Sequence, residues 1–251
     1  LALSAIRLVG FHNYQDVHLR VGGDLFLIGA NESGKTTVLD AIQLVLSAER
    51  HFVWNACARM AGARDEGRSL KGIVLRSDLA GNPRRTDGGV AWAALEFRPS
   101  EDSNGSPTTF LFGASANSPD SMVQRFGVRV PRPAADITFT ETELDGRVRV
   151  LRREEVEKAN DMRIPGRIGD YRSDLEAFFG GTALFDRTAR LWQLAKSYKE
   201  LATQTRHESS LFMKFLPEPD AEVFERLRKG FEDVRKLEVH LDELRVVRDL
   251  L

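Results

Sequence analysis

Nine residues, Gly29-Ala30-Asn31-Glu32-Ser33-Gly34-Lys35-Thr36-Thr37, mark a change of hydrophobic period in the chain. Before them, Asp24 to Ile28 reads DLFLI, a continuous apolar run typical of a strand buried on both faces. After them, from Lys35 to Leu46, Val38, Leu39, Ile42, Val45 and Leu46 fall at helical spacing as one apolar stripe. A chain with this order turns from strand to helix through a loop bounded by glycines. The loop fits G-x-x-x-x-G-K-[ST]. Composition alone produces such a match in roughly one chain in a hundred. The flanking strand and helix are therefore what give it meaning.

Each position of the loop has a physical job. Gly29 and Gly34 allow the backbone angles that close a loop around a phosphate. The N–H groups from Ala30 through Asn31, Glu32, Ser33 and Gly34 to Thr36 then converge where the following helix adds its positive end. Lys35 is placed to reach the β- and γ-phosphates and is the candidate catalytic residue. The Thr36 hydroxyl is placed to ligate Mg²⁺, with Thr37 behind it. Residues 29 to 37 are thus expected to bind a nucleotide with Mg²⁺. The guanine-reading N-K-x-D is absent, which favours ATP. A D-x-x-G at Asp78 to Gly81 reads as a polar turn.

The rest of a hydrolytic site is missing. No segment after Lys35 supplies four apolar residues followed by Asp, the Walker B element. The run Ala91 to Phe97 ends in Leu95-Glu96-Phe97 and lacks the carboxylate pair. L-S-G-G-[QE] is also absent. Phe179-Gly180-Gly181-Thr182 shares only its glycines with that signature, and a helix C-cap explains those. Hydrolysis by this chain alone is expected to be slow, because positioning water and metal is most of phosphoryl-transfer catalysis.

Elsewhere the pattern is β first and helical later. Ala5 to Val9, Val17 to Val21, Val90 to Phe97, Thr108 to Phe112 and Val123 to Val130 read as strands. Pro99 to Pro107 reads as a surface turn. Asp145-Gly146 between Ile137–Leu144 and Arg147–Leu151 signals a hairpin. Residues 51 to 88 read as a helix followed by loops. Glu154 to Asn160, Ser173 to Phe179, Asp186 to Thr203 and Ser209 to Leu216 are candidate helices. From Phe224 to Leu244 an apolar seam runs with steps of three and four, then a step of seven to Leu251, and two consecutive steps of three break a strict heptad. It reads either as an amphipathic core helix or as the first turns of a coiled coil. The expected division is 1–216 for a lobe holding the loop and 217–251 for the start of a coiled-coil arm. A start at Leu1 and a helical pattern running to Leu251 lead to the expectation of a piece of a longer protein.

Composition narrows the classes. The 251 residues carry 36 Lys+Arg against 37 Asp+Glu, so any nucleic-acid contact needs a local basic patch. The single cysteine, Cys57, excludes an intrachain disulfide framework and any multi-cysteine zinc site, and suits a reducing cytoplasm. Its default is a small buried hydrophobe. No apolar run approaches the ~20 residues that span a bilayer, so no membrane contact is expected.

The opening resembles the heads of the SMC family of ABC-type ATPases. The matching residues are Ile6, Leu8, Gly10, Phe11 and Tyr14, then Gly29, Asn31, Gly34, Lys35, Thr36, Leu39, Asp40, Ala41 and Ile42. Glu32 stands where the family usually has a second glycine, a variant similar to SbcC-like and MukB-like relatives. Arg68-Ser69-Leu70-Lys71-Gly72-Ile73-Val74-Leu75 looks like a segment of Wadjet-type JetC and MksB proteins. Tyr171-Arg172, Leu175, Phe178-Phe179-Gly180 and Arg190-Leu191-Trp192-Gln193-Leu194 resemble a stretch of MukB-like heads. The resemblance implies an α/β lobe with a mixed sheet around the P-loop helix and an antiparallel β-subdomain. Helices and an emerging coiled coil follow, and Walker B and the signature lie on a C-terminal lobe. It implies a head that engages a second copy, kleisin and winged-helix partners, double-stranded DNA and, in Wadjet systems, a nuclease. The setting implied is a bacterial, nucleoid-associated one.

The same resemblance puts Phe11, His12 and Tyr14 near the adenine or ribose, with strand-end packing as the alternative. It makes Gln193 the candidate for the Gln that touches Mg²⁺, with a surface helix as the alternative. It puts the basic run Arg59, Arg64, Arg68, Lys71, Arg76, Arg84 and Arg85 where heads meet DNA, although a solvated face explains it equally. Two other readings remain open. One is a self-contained P-loop kinase or NTPase; the other is a DNA- or partner-binding module with ATP as a switch.

Overall fold

The first strand, β1 (Ala2–Val9), turns back through residues 10–15 into β2 (Asp16–Arg20). The phosphate-loop helix α1 (Lys35–Ser47) and a short helix α2 (Leu70–Leu75) come next. Strands β3 (Gly89–Arg98), β4 (Thr108–Ala116) and β5 (Gln124–Val130) complete a five-stranded sheet. A small hairpin of β6 (Thr140–Thr142) and β7 (Val148–Val150) leads to α3 (Arg153–Asn160), α4 (Ile168–Phe178) and α5 (Thr182–Ala195). The computed structural model describes residues 2–30, 33–52, 54, 69–77, 82–99 and 106–195, with the side chains of α5 described through Trp192. The readings at Cys57, Asp78–Gly81 and Pro99–Pro107 fall wholly or mostly outside the described residues. So do those at 196–216 and 217–251.

The sheet order is β2-β1-β3-β4-β5, and every pairing is antiparallel. The expected mixed sheet therefore has no parallel pair among the described residues. Neighbouring strands joined by short returns pair antiparallel, whereas a parallel pair needs a crossover such as the 24–47 strand-loop-helix unit. That unit does not enter the sheet. Asp24–Ile28 is no strand, and Leu25, Phe26 and Ile28 are 37%, 80% and 94% exposed. Leu27 alone reaches the core edge. An apolar run becomes a buried strand only where neighbours satisfy its backbone and cover its faces. None of the five strands does so.

Alternation along β3 and β4 divides the core. Ala91, Ala93, Leu95, Phe110, Phe112 and Ala114 join α1, α2, α4 and Phe185 of α5 on one face. Val90, Trp92, Ala94 and Leu111 join Phe126, Phe139, Val156 and Ile164 on the other. Burial on both faces explains why β3 and β4 read as nearly continuous apolar runs despite antiparallel pairing. Trp92 Nε1 donates to Leu151 O at 2.9 Å, so the indole is buried without an orphan donor.

The later elements differ from the sequence reading mainly at their starts. α4 begins at Ile168 and α5 at Thr182, each earlier than the apolar spacing suggested. The Asp145-Gly146 hairpin forms with Gly146 at φ +80, but its strands are only three residues each. Gly181 N donates to Glu176 O at 2.7 Å, so Gly180-Gly181 closes the end of α4. Tyr171 of α4 lies against Gly127 of β5, where a Cβ would fall 2.5 Å from the ring. Its hydroxyl donates to Val45 O of α1 at 2.7 Å. Burial first, then the charge of Asp174, pushes this phenol well above its ordinary pKa, so it stays a donor.

Candidate nucleotide site

The loop ends on Gly34, the residue that caps α1, at φ +94 and ψ 2. Only glycine adopts that left-handed conformation without strain. Its carbonyl accepts from Thr37 N at 2.8 Å and from Val38 N at 3.2 Å, starting the helix. The first turn of α1 carries no acidic side chain, so nothing there repels an anion at the positive helix end. Lys35 Nζ turns into the loop and donates to Gly29 O at 2.8 Å, Ala30 O at 2.6 Å and Ser33 Oγ at 3.3 Å. The cation is thus held against the two described sides of the loop. Thr36 is exposed at the helix start, whereas Thr37 is 1% exposed. Asn31 and Glu32 lie outside the described residues. A triphosphate fits this set: a glycine-permitted turn, a lysine inside it, an exposed threonine at the helix start and a helix end with no acidic side chain in its first turn.

The turn between β1 and β2 comes up against the loop. Gly10 N donates to Gln15 O at 2.9 Å, and Tyr14 N donates to Phe11 O at 3.0 Å. His12 N reaches Ile73 O of α2 at 3.2 Å, with His12 at φ +50. Phe11 is 1% exposed and belongs to the core. Tyr14 is half-buried against the same cluster. A Cβ built on Gly34 would lie 2.5 Å from Tyr14 Oη and 3.0 Å from its Cζ. The two residues are twenty positions apart, and nothing in the hydrophobic pattern announced their contact.

Gln193 is on α5, its side chain outside the described set. Arg59, Arg64 and Arg68 also fall outside it. Lys71 Nζ donates to Pro119 O at 2.6 Å. Arg84 is exposed. Arg76 and Arg85 are half-buried together beyond the C-terminus of α2; burial first, then the Arg76 charge, lowers the Arg85 pKa to about 10. Glu96, the lone carboxylate of β3, is 2% exposed and structural. It accepts from Ser4 Oγ at 2.9 Å, Arg98 Nε at 2.7 Å and Ala134 N at 2.8 Å. Sequence reasoning passed over Arg50, which ties the end of α1 to α4 and α5 through Glu176 and Asp186. Among the described residues no group of three or more His, Cys, Asp or Glu side chains could hold a metal ion. No described helix is long and apolar enough to cross a membrane.

Residues 3–61 match the family model for the P-loop containing region of the AAA domain. No curated protein gave a match. The family match and the loop geometry together define a P-loop ATPase-type region within an α/β fold. The match covers β1, β2, the loop and α1.

Proposed function

We propose that this chain is the Walker A lobe of an ATPase head of the SMC kind, in the MukB/MksB/JetC group. The observation that carries this reading is the segment Asp24–Ile28, which joins no sheet among the described residues. It is strongly apolar, adjoins the phosphate loop and exposes Phe26 and Ile28 at 80% and 94%. A strand with such a sequence calls for hydrogen-bonding neighbours, and a further polypeptide segment bearing Walker B would be one. The lack of any Walker B or signature sequence agrees with this. Gly29 to Thr37 would hold ATP, Thr36 and Gln193 would face Mg²⁺, and the bound metal would neutralise charge on the phosphates. Lys35 would position the terminal phosphates. A second head would complete the site.

The same reading assigns residues 217–251 to a coiled-coil arm. It makes double-stranded DNA, a kleisin, a winged-helix subunit and, in plasmid defence, a nuclease the partners, in a bacterial nucleoid-associated setting. For DNA, it places phosphate contacts on Lys71, Arg76, Arg84 and Arg85, with Arg59, Arg64 and Arg68. The crowded Arg76–Arg85 pair supports this, because a phosphate between like charges relieves their repulsion.

Titration calorimetry tests the nucleotide half. Mg-ATP should bind more tightly than Mg-GTP, and Lys35→Ala should weaken it by about tenfold or more, the cost of one charge-assisted phosphate contact. Equal binding by the parent and Lys35→Ala would overturn the reading. DNA binding is tested by fluorescence anisotropy at several salt concentrations. Arg84→Ala should lower the magnitude of the log–log salt slope by about one.

A further inference from the structure

We infer that Tyr14 is a positioning residue for the phosphate loop, acting on the phosphates through Gly34. The inference rests on the nucleotide-binding reading above and deepens it. Tyr14 presses its phenol edge on the one residue that both closes the loop and starts α1. An added Cβ at Gly34 would meet Oη at 2.5 Å, Cζ at 3.0 Å and Cε2 at 3.4 Å, so the ring fills the space beside the Gly34 Cα. The contact is braced from behind. Tyr14 N bonds to Phe11 O, and Phe11 is 1% exposed in the core. His12 N is tied to Ile73 O of α2, and Gly10 N to Gln15 O. The turn carrying the phenol is therefore fixed at both ends and to a second element. A bulky ring on a fixed support limits where Gly34 moves. Gly34 in turn orients the first N–H groups of α1 and the stem of Lys35, the groups aimed at a phosphate.

This assignment differs from stacking on a base. A ring that stacks on adenine stabilises only ligands that carry a base. A ring that sets the loop affects any ligand that carries the phosphates, base or none. The test uses tripolyphosphate and ATP, each with Mg²⁺, titrated calorimetrically into the purified chain and its Tyr14→Ala and Tyr14→Phe variants. Thermal melts and circular dichroism of each variant identify any that fail to fold.

Tyr14→Ala should lose about tenfold in affinity for both ligands alike, the scale expected when a supporting shell loosens a site. Tyr14→Phe, which keeps the ring, should restore both to within about threefold of the parent. Loss for ATP with tripolyphosphate unchanged would overturn the inference in favour of base stacking. Unchanged binding of both by a folded Tyr14→Ala would overturn it outright. If Tyr14→Ala fails to fold, Tyr14→Leu replaces it, and the same comparison of the two ligands decides. If the parent binds neither ligand, the nucleotide-binding reading itself fails, a result separate from any difference between variants.

Discussion

At the residue scale, Gly34 and Glu96 carry the most specific predictions. Gly34 has two independent reasons to be glycine, its φ of +94 and the Tyr14 ring beside it. Gly34→Ala should destabilise the chain by roughly 1–3 kcal/mol in urea unfolding. Adding Tyr14→Ala should recover part of that loss, since one of the two causes is steric. Burial alone would raise the Glu96 pKa. Hydrogen bonds from Arg98, the Ala134 N–H and Ser4, with the Arg98 charge, outweigh burial and hold it below its ordinary 4.5. A lowered folded-state pKa means that this contribution is full above about pH 4.5 and fades as pH falls through the folded value. Unfolding midpoints followed from pH 7 down to 3 should show this loss, and Glu96→Gln should flatten it. That substitution should itself cost about 1–3 kcal/mol at pH 7, because Arg98 and Ala134 lose a charged acceptor.

At the element scale, α1 is held from both ends. Its start depends on Gly34, and its last turn is clasped by Tyr171 Oη on Val45 O. Just beyond it, Arg50 bridges to Glu176 and Asp186. Tyr171→Phe should cost about 1 kcal/mol, the net worth of one buried hydrogen bond, measured by chemical denaturation. α1 and the sheet strands were legible in the sequence because period is a local signal: Val38, Val45 and Leu46 for the helix, Trp92 to Phe97 for the strand, although Leu39, assigned to the same helical stripe, is 47% exposed. The state of Asp24–Ile28 was not legible. Its composition declares a buried strand, but pairing depends on neighbours that no local pattern contains. The starts of α4 and α5 were missed for a related reason. Ile168, Gly169, Thr182 and Ala183 carry little apolar spacing, and the helices there are set by packing on α1 and β5. Exposure of the 24–28 run makes a further prediction. Phe26→Ser with Ile28→Ser should leave the melting temperature within a few degrees of the parent, as for surface changes generally. The same pair should reduce self-association by light scattering, because it removes an exposed apolar patch.

At the scale of the whole molecule, among the described residues, two apolar layers enclose the five-stranded antiparallel sheet, and one of the two bears the phosphate loop. The loop helix, Tyr14 and the Arg50 bridges all lie with the layer of α1, α2, α4 and α5. The opposite layer, built on Trp92, Phe126 and Phe139, supports the sheet from behind. The loop itself was legible from nine residues. The contact of Tyr14 with Gly34 and the bridges of Arg50 were not, since they act across nineteen or more intervening positions; the resemblance named Tyr14 only as a neighbour of the base or ribose. The central claim is a phosphate cradle without the carboxylates that drive hydrolysis. Steady-state ATP turnover by the chain, beside Lys35→Ala, with Mg²⁺ and circular DNA present, tests it most directly. The account predicts that both proteins are equally and negligibly active although the parent binds ATP. Turnover by the parent near 1 per second or faster, within the ordinary enzyme range, and abolished by Lys35→Ala, would contradict it and make this chain a complete P-loop enzyme.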